Sequence, residues 1–303
     1  MRRCLVVGHK GQDGRILSSA LRARGCHVRG LARGEVDLTS GKQISDLIRE
    51  EKPDQIYYLA AFHHASEEEI TLSDAEVFNR SFAVHLQGAI SFLEAIRAFS
   101  PSIRFFYAAS SHVFGNPPES PQTESTAMNP QNIYGISKAA GIQACRYYRK
   151  THGVFAACGI LYNHESPWRA EKFVSRKIVR AAIRIASGER SLLTLGNLSA
   201  EIDWGYAPDF VDAMMRTLDL DAAEDFVVAT GESHTVREFA ELVFRALNLD
   251  AAQFLRENLN LIKKAGARLV GDSTQLRKKT GWAPSLSFSE MVRKLVEDSH
   301  HVA

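Results

Sequence analysis

The sequence is poor in the features that mark several protein classes. It has four cysteines in 303 residues, Cys4, Cys26, Cys145 and Cys158, all far apart in the chain. No two have the spacing of a metal site or a redox pair. Cys4 and Cys158 sit in apolar runs, where a thiol acts as a small hydrophobe. A reducing cytoplasm is the expected location. No apolar run is long enough to span a bilayer. The opening "MRRCLVVG" is basic and then apolar, but too short for a secretory signal, and it ends in a glycine turn. An excess of one charge is missing too. The formal net charge is +2, which argues against a general nucleic-acid or membrane-surface binder. No histidine cluster is joined by carboxylates at ligand spacing, so no metal site is expected. There is no G-x-S-x-G elbow, and repeats and low-complexity tracts are absent.

What the chain does have is alternation. The short apolar runs "RCLVVG", "HVRGLA", "QIYYLAA", "IRFFYAAS" and "VFAACGILYN" alternate with helical patterns. Two of those patterns are long, over residues 75–99 and 130–152. The apolar runs are nearly continuous, as strands covered on both faces require. The alternation predicts an α/β fold with a doubly wound parallel sheet. After residue 163 the rhythm changes, and helical segments mix with short strands such as "LLTLGN" and "DFVVATG". Residues 163–303 are read as a smaller C-terminal substrate-binding lobe, interleaved with the last strands of a first domain spanning 1–162.

The stretch "VVGHKGQDGRIL" places Gly8, Gly11 and Gly14 between the first strand and the first helix. One glycine allows a tight turn, the next lets backbone approach a pyrophosphate, and the third packs helix on strand. The helix N-terminus then offers free N–H groups to phosphates. The first domain is therefore expected to be a Rossmann-type dinucleotide-binding unit. The second strand ends in "GLARGEVDLTS", with Arg33 where an acid would bond the ribose of NAD. An arginine suits a 2′-phosphate, which favours NADP, with NAD as the alternative. Asp37 is expected near the adenine, and Leu59, Ala60 and Ala61 give a small-residue strand end beside the cofactor.

"NIYGISKAAG" puts Tyr134 and Lys138 on one helical face, one turn apart. Hydride can leave a carbinol carbon only if the hydroxyl proton also leaves. A phenol takes that proton once its pKa of about 10 falls by about three units, roughly 4 kcal/mol of differential stabilisation. A nearby ammonium and an oxidised nicotinamide would supply this. Ser110 and Ser111 follow the fourth strand, where they can bond the same substrate oxygen.

One stretch, "NHESPWRAEKFVSRKI", leaves an apolar strand and at once presents Asn163, His164, Glu165, Arg169, Lys172, Arg176 and Lys177. It reads either as a solvated loop or as a mouth for a large anion. Here a resemblance decides. Together with "GQDG", "LGNLSAEIDWGYAPDFVDAM" and "VVATGESHTVREF", the stretch resembles the extended short-chain dehydrogenase/reductases, and within them the GDP-mannose 4,6-dehydratases. The likeness runs over most of the chain. It implies NADP, a GDP-linked nucleotide sugar, oxidation at C4 and elimination of water across C5–C6. It implies that Tyr134 removes the O4 proton, that Lys138 holds the ribose and acidifies Tyr134, and that Ser110 touches the same oxygen. Gln12, Asp13, Leu38 and His164 are implied on the cofactor side. Asn163, Arg169, Lys177, Gly196, Ser111 and His64 are implied on the substrate side, where the mouth holds the diphosphate with charge-assisted contacts. His63 and His64 follow the third strand in a stretch that is polar in the family.

Four departures accompany the resemblance. His112 stands where the dehydratases place the glutamate that takes the C5 proton. A histidine can do acid–base work near neutral pH, or it can fill the gap without eliminating water. Ile202 replaces the arginine that pairs with the diphosphate. Lys263, Lys264 and Arg268 stand near the position of a second nucleotide arginine. The loop after the second strand is short where the family builds a tetramer, so a homodimer through the two long helices is expected. A 4-epimerase or 4-keto reductase, and a cofactor-binding protein without turnover, stay open beside the dehydratase.

Overall fold

Continuous apolar runs become the strands of a six-stranded sheet, and amphipathic runs become the helices that cover it. The structure is a computed structural model that describes residues 1–63, 72–261 and 268–299. In chain order, β1 (Arg3–Val7), α1 (Gln12–Ala23), β2 (His27–Leu31), α2 (Gly41–Glu51) and β3 (Gln55–Tyr58) come first. Then follow α3 (Asp74–Phe82), α4 (Gly88–Phe99), β4 (Arg104–Ala108), α5 (Ile133–His152) and β5 (Ala156–Leu161). The sheet order is β2-β1-β3-β4-β5-β9, and every pair is parallel. Strand β9 (Asp225–Val228) arrives late, from the C-terminal part. The chain runs from β1 outward to β2 on one side, then returns to β3 on the other. That reversal opens a crevice at the carboxyl ends of β1 and β3, where ligands of such sheets bind.

Two expected elements differ in detail. β3 stops at Tyr58 and β4 at Ala108, so Leu59–Ala61 lie in a loop just past one strand end, and past the other Ser110 caps a 3-10 turn, Ser111–Val113. The single long helix expected over 75–99 is interrupted by a π-helical turn, Ala83–Gln87. Widening the turn changes which carbonyls find helical partners. The Val84 and His85 carbonyls accept the hydroxyls of Tyr58 and Tyr107 instead. Gly88 and Gly141 leave room for those hydroxyls, since a Cβ would lie 2.1 Å from one and 2.2 Å from the other.

The C-terminal part adds β6 (Asn163–Glu165), α6 (Val174–Ala186), β7 (Leu193–Leu195), β8 (Glu201–Tyr206) and α7 (Ala207–Asp219). After β9 come β10 (Ser233–Thr235), α8 (Val236–Ala246), α9 (Ala251–Phe254), β11 (Leu255–Glu257), α10 (Thr274–Thr280) and α11 (Phe288–Ser299). A three-stranded sheet, β10-β8-β6, and the pair β11-β7 form here. Trp204, Phe239, Val243 and Phe244 centre a second apolar cluster with faces of α6, α8 and α11. Phe210, Met214 and Phe226, from α7 and β9, belong instead to the cluster under the large sheet. Asp203 ties the loops of this part together. It is buried and accepts bonds from Thr230 N and Oγ1, Gly231 N and Gly271 N, at 2.6–3.2 Å.

Candidate active site

The first turn is built around close approach. Gly8 has φ +91°, and a Cβ on it would lie 3.0 Å from Ala60 N and 3.1 Å from the Leu59 carbonyl carbon. A Cβ on Gly14 would lie 2.4 Å from Gly8 O. Only glycine fits at both places, so the loop lies flat against the end of β3. Gly11 is the N-cap of α1. No side chain caps that helix, which leaves its first N–H groups for an anion. The His9 ring packs over Gly30 of β2, and its buried Nδ1 has no hydrogen-bond partner. An open cradle with an orphaned donor-acceptor beside it fits a dinucleotide. His9 was missed by sequence reading, although it lies inside the glycine motif. Arg33 is exposed on a short turn, and Asp37 accepts from the Thr39 N–H and hydroxyl. Leu38 is half-buried against Gly88.

Gln12, Asp13 and His164 lock the cofactor loop to the strand that begins the polar mouth. His164 Nε2 lies 3.0 and 3.1 Å from the two Asp13 oxygens, while Nδ1 reaches Tyr162 O at 2.7 Å. Gln12 donates to His164 O and accepts from the Ser166 hydroxyl. Phe210 stacks on the imidazole, with ring centroids 4.4 Å apart. Burial acts to raise Asp13, but the charge and hydrogen bond of His164 outweigh it and hold the carboxyl below its usual range. Burial acts to lower His164, and Asp13 likewise wins, so its pKa is raised. The pair is an imidazolium–carboxylate.

Tyr134 sits in the first turn of α5, with three histidines edge-on to its ring. His63, His85 and His112 have centroids 4.6, 5.2 and 5.8 Å away, at interplanar angles of 88–90°. His85 is fully buried in the π-turn. Its Nε2 accepts from Phe62 N–H at 2.9 Å, and its Nδ1 lies 2.7 Å from Ser137 Oγ. Ser137 donates to Tyr134 O, so it accepts from Nδ1–H. Burial first, then the charges of Lys138 and His63, push His85 down to about 2. Nothing in the chain marked this residue in advance, a lone histidine in an amphipathic pattern. His63 also stacks on Phe173 at 5.3 Å, and its carbonyl accepts from Lys172. His64 lies outside the described residues.

The expected acid phenol is not what the chain's own groups produce. Burial pushes Tyr134 up to about 12, against the opposing pull of Arg169 and the Ser110 hydroxyl. Lys138 lies one helical turn further along α5. Its buried Nζ donates to Ala108 O at 2.7 Å and lies 5.8 Å from the Tyr134 ring centroid. Burial lowers this amine to about 7. Ser110 Oγ accepts from His112 N–H, which leaves its own proton for the phenol oxygen or a substrate. Ser111 is buried beside it.

The polar mouth is only partly a mouth. Arg169 lies over Phe173, 3.7 Å from the ring centroid, and 3.4 Å from Glu165. Asn163 and Lys177 are half-buried, on β6 and in the first turns of α6. Gly196 is buried just past β7. Two residues turn inward, contrary to expectation. Glu165 accepts from Ser175 at 2.6 Å, and Arg176 donates to Ser299 at 2.6 Å across the α6–α11 contact. Ile202 packs on the second apolar cluster opposite His234. Arg268 pairs with Glu201 at 2.7 Å. Lys263 and Lys264 lie outside the described residues. A cavity of about 980 Å³ opens at the other end of the large sheet, by Arg2, Arg49, Lys52 and Asp219, and shares none of these groups.

The family profile described as GDP-mannose 4,6 dehydratase matches residues 34–295. The chain belongs to the GDP-mannose 4,6-dehydratase family. One relative in this family is GDP-mannose 4,6 dehydratase 2 of Arabidopsis thaliana, 34% identical over 99% of this chain and 87% of its own. The fold is also that of RMD from Pseudomonas aeruginosa complexed with NADPH, with a TM-score of 0.86 at 24% identity over the whole of both chains. It is shared as well by the UDP-glucose 4-epimerase of Thermus thermophilus in complex with NAD, with a TM-score of 0.83 at 23% identity over 99% of this chain and 100% of the other. In this GDP-mannose 4,6-dehydratase family member, the turn from Gly8 to Gly14, the Asp13–His164 junction and the Tyr134 pocket lie on the side of the carboxyl ends of the sheet strands.

Proposed function

We propose that the chain is an NAD(P)-dependent, GDP-mannose 4,6-dehydratase-like enzyme that oxidises C4 of a GDP-linked sugar and eliminates water across C5–C6. The observation that carries it is the convergence of Ser110, Tyr134 and Lys138 beside a glycine cradle, in a chain of this family. Gly8, Gly11, Gly14 and Gln12 would hold the pyrophosphate side of the cofactor. Arg33 and His9 would meet an adenosine 2′-phosphate, which makes NADP the cofactor of choice. When bound, oxidised NADP supplies a hydride acceptor and a positive ring charge.

The chain's own residues handle the protons. Tyr134 takes the O4 proton, and the Ser110 hydroxyl donates to the same oxygen or to the phenolate. Lys138, near neutrality in its pKa, can shift between ammonium and amine as charge beside it changes. Arg169 adds positive charge to the pocket. Asn163, Lys177 and Gly196 would line the nucleotide side. We assign residues 1–162 to the cofactor lobe and 163–303 to the substrate lobe. We assign a homodimer to the outer faces of α3, α4 and α5, and a cytoplasmic location. Among the described residues no helix is long and apolar enough to cross a membrane.

A second reading, 4-keto reduction or 4-epimerisation, is favoured by one observation: His112 brings no carboxylate to the place where a C5 base is needed. Incubation of purified protein with NADP and GDP-mannose decides by mass. Loss of one water upholds the dehydratase. An isomer, or NADPH-dependent reduction of a 4-keto sugar, selects the second reading. Tyr134→Phe is expected to lower turnover about 10³-fold, as loss of a general base does, while nucleotide-sugar binding by calorimetry stays within a few-fold. Wild-type turnover in that variant would remove Tyr134 from the chemistry.

A further inference from the structure

The structure specifies which proton His112 carries. Asn132 is the N-cap of α5, and its Oδ1 accepts Gly135 N–H at 2.8 Å. That bond orients the amide, so Nδ2 faces His112 Nδ1, at 3.1 Å. An amide nitrogen has only hydrogens to offer, so Nδ1 must accept and the ring proton resides on Nε2. Protonating Nδ1 would set N–H against NH₂. Burial also lowers the pKa of this imidazole. The two residues cannot drift apart easily. A Cβ on Gly135 would lie 2.4 Å from His112 O, so the first turn of α5 rests directly on the His112 backbone. Among the described residues nothing bonds to Nε2, and it is not one of the sealed polar atoms without a partner. It is therefore left unsealed, on a ring whose centroid lies 5.8 Å from that of Tyr134, at a right angle.

We propose that Asn132 is a positioning residue that holds His112 as a neutral Nε2–H hydrogen-bond donor to the sugar's C4 oxygen. The choice of C4 rests on the nucleotide-sugar reading above. A neutral imidazole in this tautomer has its Nδ1 lone pair engaged by Asn132, so His112 is not the C5 base. In the dehydratase reading the C5 proton goes to another group, and His112 serves the hydride exchange at C4 that the dehydratase, reductase and epimerase readings share. Giving up Nε2–H would leave an imidazolate, so it is no proton donor either. It can polarise a carbonyl, as a neutral imidazole does in enzymes that stabilise a developing oxyanion. The step it serves is hydride exchange at C4, in which negative charge grows on that oxygen. No proton is transferred to or from His112.

The test is a long-range ¹H–¹⁵N spectrum of histidine-labelled, NADP-loaded protein from pH 5.5 to 8.5, with His112→Gln assigning the signals. The expected result is a pyridine-type Nδ1 and a pyrrole-type Nε2 for His112 throughout. In Asn132→Asp a carboxylate still caps Gly135 N–H, since aspartate caps as well as asparagine, but it offers Nδ1 an acceptor. The tautomer should then swap, His112 should titrate within the range, and kcat for C4 oxidation should fall about 100-fold with KM within about twofold. A helix cap alone would leave the tautomer and the pH profile unmoved, and that result overturns the proposal. So does a protonated Nδ1 or an imidazolium in the unmutated protein. The spectrum decides the role of Asn132 by itself. Failure of every nucleotide sugar to react overturns the C4 assignment together with the reading it rests on.

Discussion

Two buried histidines in this molecule are held in opposite charge states. His164 faces a carboxylate, Asp13, and is raised. His85 faces a backbone N–H on one nitrogen and a serine hydroxyl on the other, beside Lys138, and is pushed down to about 2. Burial alone would make both neutral. The partner on each ring nitrogen decides the outcome, and the outcome suits the place. The charged pair joins the cofactor loop to the strand that opens the substrate side. The neutral ring fixes the π-turn, the loop after β3 and the Tyr134 backbone to one another, adding no charge beside the Tyr134 phenol.

The largest expected effect comes from breaking the charged member. Asp13→Asn removes the carboxylate that keeps His164 charged, so the buried ring must either lose its proton or sit uncompensated, and should cost about 3 kcal/mol, read as a lower urea midpoint at pH 6. Stability equal to wild type would mean the pair contributes nothing. Breaking the neutral member should cost less. His85→Leu strands Phe62 N–H and the serine's acceptor site, about 2 kcal/mol, and should lower kcat as Tyr134 loses its anchor. The smallest and most diagnostic difference is in pH. His164 is raised, so its contribution is full below about 6.5 and is lost as pH rises through its folded value. Asp13 is lowered, so its contribution is present above about 3.9 and is lost as pH falls through its folded value. His85 is lowered, so its neutrality favours the fold above about 6.5, and stability falls on acidification by about 1.4 kcal/mol per pH unit. Asp13→Asn should therefore flatten the alkaline limb of a denaturation series, and the acid limb only below about pH 3.9, whereas His85→Leu should flatten the acid limb from about pH 6.5 downward and leave the alkaline limb unchanged. The reverse assignment of limbs would refute the comparison.

Much of this was legible in the chain. Unbroken apolar runs announced a covered parallel sheet, and the glycine spacing announced the crevice between β1 and β3. Tyr134, Lys138 and Ser110 were readable because helical periodicity and a strand end bring them together. The histidine cage was not readable. His63, His85 and His112 come from three separate loops or turns, and no spacing links them. Nor did the sequence reveal that Lys138 would spend a bond on Ala108 O, because which way a buried ammonium points depends on the carbonyls left over at a strand end. Arg176 and Glu165 looked like mouth residues by composition, yet each met a buried serine first.

The π-turn at Ala83–Gln87 carries a further consequence. Each residue of an α-helix advances the side chains by about 100°, so one extra residue in a turn rotates everything beyond it by that angle. Val77 and Ser81 before the turn and Phe92 and Ile96 after it are all buried, and the wide turn sets the angle between those two stripes. Deleting a single residue there would leave both halves helical but would turn one half by about 100° against the other and draw the Val84 and His85 carbonyls off the Tyr58 and Tyr107 hydroxyls, so chain length in this segment is under tighter constraint than its composition.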